Sequence, residues 1–392
     1  MIINNIVLLL AIFYSSLSYA DFLEEKVQLH GFLTQGFFHS SGNNVYGHSD
    51  DSLATGLTEI GLNLTYQPLN NLTFMVQGLY KRSGNVDRGN LKLDHALAEL
   101  TLFNDGESQF GLRLGRVRSP FGLYNETRDV AFTHPTILLP MGLYFDRSRT
   151  IFLSADGGQV FVKHNDDYGQ LHFRFFYGMP ISDNNEAINS FLALSARGTV
   201  TTKPSFVTQL RYDTNDDNTS LALSYSNTNL KYHASADDFL SSASFSVSPL
   251  VISARQVIDD LTLTAEYSLR WNQIASLGAA IPARKFISEN YYLEASYPIM
   301  PALQATVRYD VNYQDIKDRT GENAIKKGLP NHLAFSRSWV FGLQWNIDNA
   351  WMIRADYYKN HGTSWLSQAD NSNKRLTVQD WDLFAFQLSY RF

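Results

Sequence analysis

The chain contains no cysteine, which excludes disulfide staples, thiolate metal sites and cysteine nucleophiles. Charge is scarce: Asp, Glu, Lys and Arg make up 18% of the residues, with a formal balance of -6. The bases are scattered, whereas a nucleic-acid binder concentrates them on one face, so no nucleic acid partner is expected. Beyond the first twenty residues, no stretch approaches the ~18 to 20 apolar residues of a membrane-spanning helix. Catalytic signatures are missing too: HExxH, G-x-S-x-G, GxxxxGK[ST] and CxxC do not occur. The ten histidines form no pair at metal-ligand spacing. His95, His164 and His172 read as wall residues, and neither a metal nor a cofactor is expected.

Rings are abundant, with 26 Phe, 21 Tyr and 6 Trp, and they favour strands over helices. They recur with a period of two. Leu261, Leu263, Ala265, Tyr267, Leu269 and Trp271 interleave with Thr262, Thr264, Glu266, Ser268 and Arg270. Leu303, Ala305, Val307, Tyr309, Val311 and Tyr313 do the same, as do Phe384, Phe386, Leu388, Tyr390 and Phe392. Each segment is a strand with one apolar and one polar face. Short turns rich in Asn, Asp, Pro and Gly separate them, such as PLNN, NDGES, NDDYG, TNDDN, Asp259-Asp260 and PIMP. Between these turns lie long polar connections, including SSGNNVYGHSDD and residues 315–331. The count is about sixteen strands, and no helix of any length is expected.

Regular alternation of short turns with long loops, in a two-faced all-β chain, predicts a transmembrane antiparallel β-barrel of the outer-membrane kind. A soluble sandwich also alternates, but a chain of this length would need two domains, and no boundary or linker is visible. In a barrel the rings face lipid. Tyr66, Tyr212, Tyr297, Trp351 and Phe392 then form one interfacial belt, and Tyr80, Tyr177, Trp271, Tyr313 and Trp339 the other. The polar faces turn inward. They carry the bases Arg113, Lys163, Arg174, Arg211, Arg270, Arg308 and Arg354. The inward acids are Glu59, Glu99, Glu266, Glu294, Asp310 and Asp356. So balanced a set implies a wet lumen, part of it paired within the wall.

The amino terminus differs. Ile6 to Tyr14 is a nine-residue apolar run followed by SSLSYA, too short to span and matched to an export signal cleaved after Ala20. No Lys or Arg precedes the run, a departure from the usual pattern. Residues 21–392 would form the barrel.

A cleaved signal, about sixteen amphipathic strands and a terminal aromatic resemble the Gram-negative outer-membrane porins. The resemblance covers the whole mature chain and is architectural. It implies an outer-membrane location, contact with lipid and lipopolysaccharide, and a homotrimer. It also implies that the insertion machinery reads Phe392. The third long connection, Ser119 to Thr150, is too apolar to stand in water, and in the resembled family this loop folds inward to narrow the channel. Its candidate constriction residues are Glu126, Arg128, Asp129, Asp146, Arg147 and Arg149, facing Arg113, Arg116 and Arg118 of the preceding strand. Strict alternation turns Arg113 away from the other two, so all three face inward only with a bulge near Gly115. The expected function is passive diffusion of small hydrophilic solutes. A channel specific for an oxyanion such as phosphate, or for an oligosaccharide, is the alternative, and an outer-membrane enzyme is weaker still. The first check is mass spectrometry of the exported protein, which should find Asp21 at its amino terminus.

Overall fold

In the computed structural model, described over residues 26–144, 146–192, 196–279 and 281–392, the expected barrel is present. The leader segment, residues 1–20, lies outside the described residues. The first eight strands are β1 (Val27–Ser40), β2 (Ala54–Leu69), β3 (Leu72–Ser83), β4 (Asp87–Asn104), β5 (Ser108–Arg118), β6 (Ser154–Asn165), β7 (Gly169–Pro180) and β8 (Thr199–Thr214). The rest are β9 (Thr219–His233), β10 (Ala243–Ile258), β11 (Leu261–Ile274), β12 (Arg284–Met300), β13 (Leu303–Tyr313), β14 (Phe335–Asn346), β15 (Trp351–Gly362) and β16 (Asp380–Arg391). Each pairs antiparallel with its neighbours in sequence, and β16 closes on β1.

Seven tight connections lie at one end, including Asn70-Asn71 and Asp259-Asp260. Asp217, Asp259 and Gly106 adopt positive φ there, as such turns require. The connections at the other end are long, with one exception. Only residues 84–86 join β3 to β4, because those two strands climb higher than the pattern suggested. Strand β8 begins at Thr199, seven residues before Phe206, where its alternation points to a start, since a register shift between Lys203 and Phe206, around Pro204, breaks the period. Short helices also occur in the loops, at Met141–Tyr144, Arg149–Leu153, Asn184–Phe191 and Glu322–Ile325.

The barrel is inside-out relative to a soluble protein. Leu62, Leu114, Leu293, Phe341 and Phe384 stand exposed on the outer face, while Arg308, Arg354 and Glu266 are buried inside. Outer rings pack laterally, as with Trp351 and Tyr390 at 4.7 Å and Tyr309 and Trp339 at 4.8 Å. Tyr313 departs from the expected belt. It is buried, with the guanidinium groups of Arg319 and Arg337 over its ring at 5.2 and 5.8 Å.

Closure reaches the last residue. Phe392 N donates to Gly31 O at 3.0 Å, and Gly31 N returns a bond to Phe392 O at 3.1 Å. A Cβ on Gly31 would lie 2.4 Å from the Phe392 ring, so the glycine makes the seat for that ring. Two outcomes test this architecture. The purified protein should require detergent and migrate differently on a gel before and after boiling. Gly31→Val should destabilise the barrel by about 1–3 kcal/mol through overpacking, read as a lower boiling-resistant midpoint.

Candidate functional site: the third external loop inside the barrel

The site begins where β5 ends. Residues 119–153 leave the wall, turn into the lumen and return at β6. The loop's apolar residues explain the turn inward: Phe121, Ile137, Leu138, Leu139, Leu143, Ile151 and Phe152 are all buried. Its backbone polar groups must then find partners inside the barrel, and wall side chains supply them.

On one wall, Arg308 donates to Thr136 Oγ1 at 2.5 Å and to the Leu138 carbonyl at 3.0 Å. Its remaining donors reach Asp310 at 3.0 Å and Glu294 at 3.5 Å. Arg354 holds the carbonyls of Ala131 and His134. The Asp356 carboxylate accepts from Ile137 N at 2.6 Å, and the Tyr358 hydroxyl from Leu138 N at 3.0 Å. Further round, Glu266 accepts from Leu123 N at 3.0 Å, Tyr144 OH at 2.5 Å and Tyr292 OH at 2.8 Å. Gly142 lets the loop lie flush here, since a Cβ would sit 2.4 Å from Asn290 Oδ1.

The opposite wall meets the loop through charge. Lys81 pairs with Glu59 at 2.7 Å, Asp146 at 3.5 Å and Asp129 at 3.6 Å. Arg128 reaches Asp146 at 3.0 Å. Arg149 joins Asp129 and Asp94, both at 2.9 Å, and Arg118 donates to Asp94 at 2.8 Å. Four bases (Lys81, Arg118, Arg128, Arg149) thus meet four acids (Glu59, Asp94, Asp129, Asp146), and the cluster is neutral. Burial pushes the Asp146 carboxyl up, but the Lys81 and Arg128 charges outweigh it and hold it at about 2. Of the β5 arginines expected to face the loop's acids, Arg118 alone reaches one among the described ion pairs, Asp129 at 3.8 Å; Asp129 and Asp146 pair chiefly with the loop's own Arg149 and Arg128 and with Lys81. Lys81, Glu59 and Asp94 complete the cluster. Sequence placed Glu59 inward but did not link it to the loop. Asp94 faces in because β4 slips register between His95 and Leu93, and no local pattern announces such a slip.

The three arginines of β5 part company. Arg113 points inward to Glu99 at 2.6 Å and to Gln159 at 3.0 Å. Arg118 bends inward from the strand end. Arg116 pairs with Asp156 at 2.8 Å, beside the exposed Leu114 on the outer face. Gly115 does adopt φ +125°, yet pairing with β4 and β6 runs through it without a slip. The bulge that would have turned Arg116 inward is absent, and Arg116 is not a lumen residue. The Arg147 side chain lies outside the described residues.

Arg174 meets Glu126 at 2.5 Å, and Arg211 meets Asp213 at 2.8 Å; the Glu126 and Arg211 side chains are 32% and 30% exposed. Lys163 is half-buried on the same inner face. Above the loop, a cavity of about 790 Å³ opens among the loops that precede β12, β14 and β16, and a second of about 150 Å³ continues inward between residues 141–152 and the β10–β13 wall. Arg270 lines the second cavity. Sequence reasoning missed both, because their lining comes from loops far apart in the chain.

No family model matches this sequence, and no curated protein matches it. Solved structures do. An anion-selective porin from Comamonas acidovorans superposes with a TM-score of 0.60 at 12% identity, covering 93% of this chain and 99% of that one. The outer membrane channel DcaP of Acinetobacter baumannii (TM-score 0.57, 14% identity) and Salmonella typhi OmpF (TM-score 0.57, 15% identity) each cover 93% of this chain and 97% of their own. OmpT of Vibrio cholerae, in its trimer form, covers 93% and 99% with a TM-score of 0.55 at 11% identity. At such identities the likeness is one of fold, and the fold is that of the outer-membrane porins.

Proposed function

We propose that the protein is a channel of the Gram-negative outer membrane through which small hydrophilic solutes and ions pass without energy input. The observation that carries this reading is the combination of a closed barrel, an apolar outer band and a charged interior narrowed by one inward loop. Arg113, Arg174, Arg211 and Lys163 of the wall, with Glu126 of the loop, would line the narrowed passage. Asp129, Asp146 and Arg149 would set its width by anchoring the loop, and Arg118 and Arg128 would help hold them. The other wall charges, Arg308, Asp310, Glu294, Arg354 and Asp356, would anchor the loop's far side, and Glu266 its root. In this reading the chain is exported by its leader, is recognised by the insertion machinery through Phe392, sits among lipid and lipopolysaccharide, and assembles as a homotrimer.

Because the loop is tied to both walls, the passage is narrower than the bare barrel would allow. Planar-bilayer recording checks both points. The purified protein should give discrete ohmic steps in KCl, and a bilayer without steps at any voltage would overturn the channel reading. Arg308→Gln combined with Arg354→Gln should release the middle of the loop. Single-channel steps should then become larger and noisier, while the heat-shifted gel band remains.

A further inference from the structure

The neutral ion-pair cluster is a poor place to select solutes by charge, because every base in it already faces an acid. The unbalanced charge lies elsewhere. Among the described residues, the 790 Å³ outer cavity is lined by Arg284, Lys285, Lys326 and Lys327, besides Lys374, against Asp315 and Asp318, an excess of at least two positive charges. Both acids are engaged by backbone: Asp318 accepts from Asn323 N at 3.2 Å and Asp315 from Lys317 N at 3.0 Å. Among the described residues, no carboxylate forms an ion pair with Arg284, Lys285, Lys326 or Lys327. In a chain whose overall balance is -6, this is a local concentration of positive potential at the outer mouth, where it draws anions in.

The inner cavity sharpens the chemistry. It shares Arg284, Phe286 and Gln314 with the outer one, adds Arg270, and has no acid among its described lining residues. The alternation of β11 and β12 puts Arg270 and Arg284 on the inner face. Arg284 rests over the Phe286 ring at 4.8 Å, which fixes the plane of its guanidinium. Phe245 and Phe152 supply apolar walls. At the inner end stands Asn312; its register partner Asn290 lies behind the lining, under Gly142. Both are buried; neither amide atom of Asn290 has a partner, nor has Asn312 Oδ1. A cavity of about 150 Å³ accommodates one six-membered ring, and guanidinium groups bind carboxylates in a planar, forked manner.

We infer that these two cavities form one binding site for a small ring-bearing carboxylate, collected by the outer lysines and seated between Arg270, Arg284 and the phenylalanine walls. The inference names a solute class for the channel proposed above and rests on that reading for its biological use. It moves anion recognition away from the loop arginines to the wall formed by β10–β13.

The test is a titration of 4-fluorobenzoate into the detergent-solubilised protein, followed by fluorine NMR. Saturable line broadening should appear in the millimolar range and be reversed by benzoate, but not by benzyl alcohol. Phosphate displacing the probe as well as benzoate does would overturn the ring slot. Arg270→Gln with Arg284→Gln should weaken binding at least tenfold, and Arg284→Lys should recover part of it. Should the double variant lose the heat-shifted band, Lys326→Gln with Lys327→Gln in the outer loop serves instead, with an expected loss of about threefold. Unchanged affinity in a folded variant, or no broadening with the native protein, would overturn the site. Ohmic steps without probe binding would leave the channel and remove the site; probe binding without steps would do the reverse.

Discussion

Everything in this molecule follows from one constraint: in a hydrocarbon medium every backbone N–H and C=O needs a partner from the chain itself. Sixteen strands meet it only by closing, and the closing seam runs from Phe32 opposite Arg391 to Ser40 opposite Leu383. Closure fixes which face of each strand meets lipid. The outer face becomes apolar, and all strand polarity is pushed to the inner one. The inversion of the usual burial pattern, with Leu293 outside and Arg308 inside, follows directly from that geometry.

An interior so loaded with charge needs matching groups. The third loop provides them at two walls in two ways. At β2–β5 it contributes acids and bases that complete a neutral cluster with Lys81, Glu59, Asp94 and Arg118. At β13–β15 it contributes mainly backbone, which Arg308, Arg354 and Asp356 grip. Removing one partner from such a buried set costs more than the pair contributes, because the remaining charge is stranded. The loop is accordingly a structural part of the barrel as much as a device within it.

Much of this was legible in the sequence, for a physical reason. Period-two alternation is imposed by the lipid on every strand, so about sixteen strands could be counted. The signal failed where the alternation fails. Pro204 and the neighbouring register shift hid the start of β8. The slip in β4 that brings Asp94 inward left no mark. Gly115 looked like a bulge and proved to be a glycine of unusual φ within an unbroken ladder. Loop contacts were the least legible. The loop's apolar content said that it would be buried, but its partners lie up to 223 residues away, as with Ala131 and Arg354. The basic cavities join side chains from distant loops, which no window along the chain can detect.

The grip of Arg308 and Arg354 has an evolutionary consequence. Three of the acceptors they hold, at Ala131, His134 and Leu138, are peptide oxygens, which every residue type presents alike. Selection on that stretch therefore acts on the path of the main chain more than on the identity of its side chains. An exposed position such as Thr133 can drift while the two guanidinium hands stay put, whereas Thr136, Ile137 and Leu138 are also held by their side chains.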